Sequence, residues 1–515
     1  MTLDFSEIIM PILRTYQLDL TGRVRQTCRV IREPIRVIIQ ASTGAGKSVI
    51  ALYLMLCAYQ RGKRCLFMVS GRLLVDQIEK HLQRANVSYG VIMAGRGRNE
   101  ALIQIASKET LGARLVRDKR MKLPEADLLI IDEAHESMAG EWVKLIHMYE
   151  KAVILGLTAT PALGNGKGLG KIYGAMEKAI STAELVAQKW LVPCIVFAPE
   201  KPDLRGIKIV NGDYHKEQLA SRMDKPKLVG NVLENWKKHA DGKKTVIFGC
   251  NIAHAKHIQD EFLSAGIRFG HIDQTTEDNE REDIFGEIEN GRMMGFTNVS
   301  VARRGLDLPC LEVACVVRPT KSLVLWLQMI GRIRRPWPGK EGCTVIDHAG
   351  ACDFHCMPDD EIDWSLDSER KIGDWLEERN ADPKTPKKVL CPKCACMFTG
   401  KRCPNCGFEF AEPPQAENTI EHADGILVER DGRDKPSLAE MQKAFNSAIG
   451  FAVHKNRKAG AAARIFSNRF GFPPWDARPR LANLPKRKKG SWQQPAVVVW
   501  PNFRHGPSNG DSVEF

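Results

Sequence analysis

The amino-acid sequence predicts an α/β protein with two tandem parallel-sheet lobes. Short apolar runs alternate with longer amphipathic stretches between about residues 35 and 160, and the same rhythm returns from Lys243 to Gly350. Buried parallel strands separated by helices produce such an alternation. The connection APEKPDLRG at 198–206 carries the proline and glycine expected between two lobes. We therefore assign residues 1–198 to the first lobe and residues 199–352 to the second.

The chain changes character after Gly350. Residues 353–388 are first acidic and then rich in proline and lysine, which predicts a helix and a linker. Residues 389–412 hold five of the 15 cysteines and predict a small zinc ribbon. Residues 413–515 form a basic C-terminal region that we expect to be partly disordered.

Composition and charge limit the classes of function. The 515 residues are 43% hydrophobic and 27% charged, which is the balance of a globular chain with several domains. The apolar run VIALYLMLCAY from Val49 is too short to span a bilayer, and we find no secretion signal, so we expect a cytoplasmic protein without a membrane partner. The net charge of +13 suits a polyanionic partner, although a charge that serves only solubility is the alternative.

The stretch ASTGAGKS at 41–48 predicts a phosphate-binding loop. It follows the apolar run RVIIQ and opens an apolar helix, so it has the strand, loop and helix context that such a loop needs. Glycines allow successive backbone N–H groups to surround phosphate oxygens, and the N-terminus of the helix adds positive potential. Lys47 would reach the outer phosphates of ATP, and Ser48 would bind Mg²⁺.

The stretch LLIIDEAH supplies the acidic partner of that loop. Asp132 would hold Mg²⁺ through water, and Glu133 would orient and deprotonate the attacking water. An exposed acidic turn is the alternative interpretation. It is disfavoured because an unpaired Asp-Glu at the end of an apolar strand is costly without a cation.

The stretch QMIGRIRR at 328–335 adds positive charge from the second lobe. Arg332 and Arg335 are three residues apart, so they share one face of a helix and could reach across a cleft to the γ-phosphate. A guanidinium suits this role because it is permanently charged and forked. A basic amphipathic helix without catalytic function is the alternative.

Taken together, these elements resemble the DEAH-motif helicases of superfamily 2, and the resemblance covers most of residues 13–350. In the order of that family, the first lobe contains LRTYQ, ASTGAGKS, VSGRLLVDQ, IASKETL, DEAH and TAT, and the second contains TVIFGC, TNVSVARRGLDLP and QMIGRIRR. The resemblance implies two RecA-like lobes that close on ATP, open after hydrolysis and step along a nucleic-acid strand.

The resemblance also implies roles for individual residues. Gln17 would contact the adenine base, and Thr158 and Thr160 would couple the nucleotide site to the strand. Contacts with the sugar-phosphate backbone, which give affinity without reading the base sequence, would come from Arg72, Thr110 and Thr297. The residues that bind and hydrolyse ATP would be Thr43, Gly44, Ala45, Gly46, Lys47, Ser48, Asp132, Glu133, Gly305, Asp307, Gln328, Arg332 and Arg335.

Four further stretches resemble one branch of the family, the RadD-type helicases of bacteria and their phages. They are STAELVAQKWLVP, DHAG at 347–350, DWSLD at 363–367 and the cysteine-rich segment. This resemblance implies a DNA motor in repair, recombination or replication that acts on single-stranded or branched DNA. It also implies a bacterial or phage-infected cell and contact with a single-strand DNA-binding protein.

The cysteine-rich segment CPKCACMFTGKRCPNCGFEF predicts a structural zinc site. Two C-x-x-C turns can direct four thiolates inward to form the tetrahedral sulfur shell that Zn²⁺ prefers. A closed shell of four ligands leaves no open position for catalysis, so the metal would stabilise the fold. Cys396 is then a spare thiol. The predicted ligands are Cys391, Cys394, Cys403 and Cys406.

Four functions remain open from the sequence. An ATP-dependent DNA helicase or translocase is our first hypothesis, and an RNA helicase is the second because the motor elements contact the backbone. A motor subunit of a restriction complex is a third. A DNA-binding scaffold with a vestigial motor is the non-enzymatic alternative, and the intact Lys47, Asp132 and Glu133 argue against it.

The basic C-terminal region generates one prediction. Residues 451–490 contain eleven Lys and Arg against one acid, Asp476, with aromatic residues between them. We expect deletion of residues 451–515 to flatten the dependence of DNA affinity on salt, because fewer counterions are released on binding. Deletion of 491–515, which contains a single arginine, is the control and should leave the slope unchanged. Equal slopes for both deletions would contradict the prediction.

Overall fold

The computed structural model describes residues 7–410 apart from 97–98, 137–139, 200–201, 211, 300–307, 368, 370 and 383–384, together with 422–423 and 426–427. Gly305 and Asp307, which the family resemblance assigns to the ATP site, lie outside the described residues, and so does nearly all of the basic C-terminal region. Among the described residues, no helix combines the length and apolar character required to cross a bilayer.

The first lobe is built on a sheet of seven parallel strands in the order β3-β4-β2-β5-β6-β1-β7. Its strands are β1 Arg36–Gln40, β2 Cys65–Val69, β3 Tyr89–Ile92, β4 Ile103–Ser107, β5 Leu128–Ile131, β6 Val153–Thr158 and β7 Ala175–Lys178. Its helices are α1 Thr15–Val30, α2 Lys47–Tyr59, α3 Arg72–Arg84, α4 Lys108–Leu111, α5 Gly140–His147 and α6 Thr182–Ala187, with a π-helix at Gly112–Arg117 and a 3-10 turn at Ala134–Glu136.

Strand β1 shows why these apolar runs form buried strands. Val37 and Ile39 pack in one apolar cluster with residues of α2, whereas Ile38, on the opposite face, packs with Trp142 of α5. Successive side chains of a strand point to opposite faces, so a strand covered on both sides needs a continuous apolar run. The ends of the central strands, where the phosphate loop and the acidic element begin, are thereby held on a rigid support.

The second lobe is built on an eight-stranded sheet in the order β12-β13-β11-β14-β15-β8-β17-β16. Its strands are β8 Cys194–Phe197, β11 Thr245–Phe248, β12 Phe269–Ile272, β13 Gly295–Asn298, β14 Val313–Val316, β15 Cys343–Asp347, β16 Lys388–Leu390 and β17 Cys396–Thr399, with separate hairpins at β9 Ile209–Val210 and β10 Asp213–Tyr214 and at β18 His422–Ala423 and β19 Ile426–Leu427. Its helices are α7 Lys216–Met223, α8 Pro226–Ala240, α9 Ile252–Ser264, α10 Asp278–Glu289, α11 Leu323–Gly331, α12 Ala351–Phe354 and α13 Ile372–Ala381.

Two strand pairings in this sheet cross the domain boundaries that the sequence predicts. Strand β8 precedes residue 198, yet it pairs in parallel with β15 of the second lobe. Strand β17, which belongs to the cysteine-rich segment, pairs antiparallel with β8, and β16 pairs with β17. The cysteine-rich segment therefore extends the second sheet, whereas the sequence predicts a separate ribbon. Neither long-range pairing leaves a local signal, because strand partners are set by the tertiary fold.

Gly295 generates a prediction about the second sheet. A Cβ atom at this position would lie 2.1 Å from the carbonyl oxygen of Thr245 on the neighbouring strand, where the backbone cannot yield easily. We expect Gly295→Ala to lower the free energy of unfolding by about 1–3 kcal/mol, measured by urea denaturation.

The control for that experiment is Gly286→Ala in α10. A Cβ atom there would meet open space, and alanine favours a helix more than glycine does, so stability should be unchanged or slightly higher. Equal unfolding midpoints for Gly295→Ala and the parent protein would contradict the expected clash.

Candidate functional site

The phosphate loop lies between β1 and α2, as the sequence predicts. Gly44 and Gly46 have positive φ angles of 87° and 80°, a backbone region that residues with a Cβ atom rarely adopt. Gly46 directly precedes α2, so the backbone N–H groups at the N-terminus of this helix are available to an anion. The loop thus has the backbone conformation that a phosphate cradle requires.

Helix α1 fixes this loop from one side. The buried Gln17 donates from its amide nitrogen to the carbonyl oxygen of Ala45 at 3.0 Å, and Tyr16 donates its hydroxyl to the same oxygen at 2.6 Å. The side-chain oxygen of Gln17 accepts from the backbone N–H of Arg14 at 3.0 Å. Gln17 therefore braces the loop, while its contact with adenine stays a prediction.

Lys47 lies in the first turn of α2 and faces the acidic element. Its ammonium group donates to the carbonyl oxygen of Ala41 at 3.3 Å. Burial lowers the pKa of Lys47, and the nearby carboxylates of Glu133 and Asp132 oppose that effect. The cation is thus held among groups of opposite charge, where a buried charge is least costly.

Asp132 and Glu133 occupy the end of β5. Glu133 has a positive φ of 49°, which costs a residue with a side chain about 1 kcal/mol, and its backbone N–H donates to the Asp132 carboxylate at 3.0 Å. Such strain is typical of functional positions. Burial, and secondarily the charge of Glu133, raise the pKa of Asp132 to about 6. Burial also acts to raise the pKa of Glu133, but the hydrogen bond with His135 and the charge of Lys47 outweigh it and lower that pKa.

His135 connects the two lobes, a role that the sequence does not reveal. Its Nδ1 atom lies 3.3 Å from the carboxylate of Glu133 and 3.2 Å from the hydroxyl oxygen of Thr158. Its Nε2 atom lies 3.3 Å from the amide nitrogen of Gln328 in α11. The backbone N–H of Thr160 donates to the Thr158 hydroxyl oxygen at 3.1 Å. These contacts join the predicted coupling residues to the carboxylate and to the second lobe.

Helix α11 lies directly against the phosphate loop. A Cβ atom at Gly331 would meet the Thr43 side chain at 2.6 Å, and one at Gly44 would lie 3.5 Å from the Cγ atom of Arg335. Burial lowers the pKa of Arg332, and Glu133 and Asp132 act in the opposite direction because they are close to it. Arg332 is therefore close to the acidic pair and Arg335 close to the loop. Because α11 ends at Gly331, both arginines follow the helix, which corrects the shared helical face that the sequence predicts.

The predicted nucleic-acid contacts differ in exposure. Arg72 is exposed at the start of α3. The side chain of Thr110 is buried, and its hydroxyl oxygen accepts from the backbone N–H of Ala94 at 3.2 Å. Thr297 is 0% exposed, and its hydroxyl lies 2.9 Å from Nδ1 of His271. A strand could meet the side chain of Arg72 directly, but at Thr297 it would meet the surrounding residues rather than the hydroxyl.

The four predicted zinc ligands converge. Their Sγ atoms all lie within 4.8 Å of one another, with 3.5 Å between Cys391 and Cys406 and 3.6 Å between Cys394 and Cys403. Tetrahedral zinc with Zn–S bonds of about 2.3 Å requires about 3.8 Å between sulfurs, so the donor set fits this ion. Cys396 is not part of the group and its pKa is raised, mainly by burial.

The two halves of this cluster have the same backbone conformation. Ala395 and Gly407, which follow the second cysteine of each pair, have positive φ angles of 56° and 70°. Their backbone N–H groups donate to the backbone carbonyl oxygens of Cys391 at 2.9 Å and of Cys403 at 3.0 Å. Burial acts to raise the pKa of Cys403, but hydrogen bonds from the backbone at Cys406 and Asn405 help to lower it to about 7. In the other half, burial raises the pKa of Cys391 to about 12 and also raises that of Cys394, so the four thiols differ in how readily they form the thiolate that binds metal.

Two family matches fall on the two lobes. Residues 11–163 match the family described as "Type III restriction enzyme, res subunit", and residues 224–336 match "Helicase conserved C-terminal domain". The chain is 29% identical to a "51.5 kDa protein" of Lactococcus phage (isolate 7-9), over 80% of this chain and 86% of that one.

Other relatives are similar over part of their length. The chain is 26% identical to "Putative ATP-dependent helicase IRC3" of Saccharomyces cerevisiae, over 66% of this chain and 52% of the yeast protein, so it spans about half of that relative. Among solved structures, a fragment of a putative HsdR subunit of a type I restriction enzyme from Vibrio vulnificus YJ016 aligns with a TM-score of 0.50 and 18% identity, over 68% of this chain and 67% of that one. This structural likeness concerns the fold alone.

Proposed function

The two family matches indicate a superfamily 2 helicase, and from that premise we propose an ATP-dependent DNA helicase or translocase that acts on single-stranded or branched DNA. The observation that carries the proposal is the contact series from Glu133 through His135 to Gln328, which joins the acidic pair to the other lobe. A motor needs such a connection, because hydrolysis must change how the lobes are held.

The proposed hydrolysis uses residues from both lobes. Lys47 and the loop N–H groups bind the phosphates, and Glu133 orients and deprotonates the attacking water. Arg332 and Arg335 stabilise the negative charge that develops on the γ-phosphate. Ser48 and Asp132 would hold Mg²⁺, which supplies charge neutralisation when bound.

Two features support a nucleic-acid strand as the partner: the net charge of +13 suits a polyanion, and Arg72 is exposed at the first-lobe element predicted to contact the backbone. The choice of DNA over RNA rests on the sequence resemblance. We assign the chain to the RadD-type branch on the sequence resemblance, which would place it in repair, recombination or replication, with a single-strand DNA-binding protein as a partner. A motor subunit of a restriction complex is the second candidate, because one matched family carries that description.

We propose that the cysteine cluster binds one structural Zn²⁺. The sulfur spacing and the paired turns support this assignment. Metal binding contributes on the order of 10 kcal/mol in small zinc modules, which is ample to order a short segment whose apolar cluster, around Phe398, Phe408 and Phe410, is small. Because β17 pairs with β8, that stabilisation would extend to the edge of the second sheet.

The role of Glu133 gives the first test. We expect Glu133→Gln to reduce the turnover of ATP by about 10²–10⁴-fold, because the amide cannot accept a proton, while ATP still binds. Turnover is measured with a coupled phosphate assay, and binding with a fluorescent nucleotide. Glu125→Gln, an exposed position ahead of the same strand, is the control and should behave as the parent protein. Undiminished turnover in Glu133→Gln would contradict the assignment.

The choice of nucleic acid gives the second test. Single-stranded DNA should stimulate ATP hydrolysis more than RNA of the same length, and equal or greater stimulation by RNA would overturn the DNA assignment. Forked, 3′-tailed and 5′-tailed duplexes then test strand separation and direction. A protein that hydrolyses ATP only together with a separate nuclease or specificity subunit would favour the restriction-complex candidate.

Zinc content gives the third test. The full chain should contain one Zn²⁺ by mass spectrometry of metals, and Cys403→Ser should lose it and unfold at lower urea concentration, since one thiolate ligand is missing. Cys396→Ser is the matched control, because this neighbouring thiol lies outside the cluster. A Cys403→Ser variant that keeps one tightly bound Zn²⁺ would contradict the ligand set.

A further inference from the structure

Beyond the second lobe, the chain returns to the first. We call residues 358–372 the clasp; residues 368 and 370 within it are not described. The clasp runs from the neighbourhood of α11 to the turn at 163–170, which follows Thr158 and Thr160 in the first lobe. The stretch DWSLD at 363–367, which resembles the RadD-type helicases, lies in this segment.

Main-chain hydrogen bonds attach the clasp to the first lobe. The backbone N–H of Gly170 donates to Leu366 at 2.7 Å, that of Gly168 donates to Asp367 at 3.1 Å, and that of Ile372 donates to Gly166 at 2.9 Å. The Leu366 side chain packs against the apolar cluster beneath the first sheet. Two ion pairs reinforce the attachment, Lys167 with Glu369 at 3.4 Å and Lys178 with Asp363 at 3.7 Å.

Arg334 attaches the other end to the second lobe. This residue is only 2% exposed, its guanidinium donates to the carbonyl oxygen of Pro358 at 2.8 Å, and it forms an ion pair with Asp359. Trp364 of the clasp packs in the apolar core of the second lobe. Arg334 stands between Arg332 and Arg335, so the clasp is fastened to the segment that carries both predicted catalytic arginines.

A cavity of about 450 Å³ separates the lobes beneath the clasp. Thr160 and Gln40 line it from the first lobe, Leu327 and Arg334 line it from the second, and Trp364 lines it from the clasp. On this side of α11 the lobes do not fill the space between them. The clasp crosses this gap, and it supplements the direct contacts between the lobes beside it, such as Ala162 in the apolar core of the second lobe.

We propose that the clasp positions Arg332 and Arg335 over the phosphate loop. Arg334 is the positioning residue, because it connects the clasp to the second lobe. The inference rests on the ATPase proposed above and adds a component that belongs to neither lobe. The clasp ties the turn after the coupling residues to the arginine segment, so both respond together when the lobes move. A misplacement of about 1 Å is sufficient to cost an active site up to about 10²-fold in rate.

Two glycines permit the clasp to lie close to the turn at 163–170 of the first lobe. A Cβ atom at Gly170 would sit 2.4 Å from the carbonyl oxygen of Leu366, and one at Gly168 would sit 2.5 Å from that of Asp367. An alanine at either position therefore displaces the clasp. A Cβ atom at Gly164, in the same turn, would have no other atom within 4 Å, so this glycine provides a matched control.

The test compares Gly170→Ala, Arg334→Lys and Gly164→Ala in the full chain. We expect kcat for ATP hydrolysis in the presence of single-stranded DNA to fall about tenfold in the first two, with KM for ATP changed less than about twofold, because the first lobe still binds the nucleotide. Gly164→Ala should match the parent protein. Since both variants act through the clasp, the double variant should lose little more than the worse single variant.

Hydrogen exchange provides a readout that does not need ATPase activity. Peptides covering 166–172 should be protected in the parent protein and in Gly164→Ala, and should lose protection in Gly170→Ala. Absence of protection in the parent protein, equal kcat in Gly170→Ala and Gly164→Ala, or losses that multiply in the double variant would each overturn the clasp. Protection of the 166–172 peptides in a parent protein that hydrolyses no ATP would instead overturn the proposed function.

Discussion

The structure depends on two adjacent carboxylates at the buried end of β5. Asp132 and Glu133 repel each other at a partly buried position, and cations from elsewhere in the chain reduce that repulsion. Lys47 comes from the phosphate loop and Arg332 from the turn that follows α11, which means that both lobes contribute to the same charge balance. His135 adds a hydrogen-bonding contact on each side. The separation of the lobes and the ionisation of this pair are therefore linked properties.

The sequence predicts the site to the extent that chemistry is local. The glycines of the loop, the acids after an apolar strand and the arginines three residues apart each depend on neighbouring residues, and the structure brings them together. Other features depend on distant parts of the chain. Strand β8 pairs with a strand, and His135 contacts a residue, more than a hundred positions away. The hydroxyl of Thr297 contacts a residue of a neighbouring strand. A linear pattern contains no information on such contacts, because tertiary packing decides them.

The cysteine-rich segment is small, but it contributes a strand next to β8 in the second sheet. Its strand β17 pairs with the edge of β8 that β15 leaves open, so β8 is not an edge strand of the second sheet. Unpaired edges of sheets invite association with other chains, and short strands beyond them reduce that hazard. The turns that gather the four thiols lie next to this strand, so the cluster and the sheet edge support each other.

The position of β8 sets the order in which the protein can be assembled during synthesis. This strand emerges with the end of the first lobe, but its partners β15 and β17 begin at Cys343 and Cys396. At typical translation rates of about 5–20 residues per second, β8 waits roughly 7–30 s for its first neighbour. The first sheet, whose last strand ends at Lys178, is by then complete. The ribosome thus delivers the complete first sheet with one unpaired strand attached, and the second sheet must be built onto that strand.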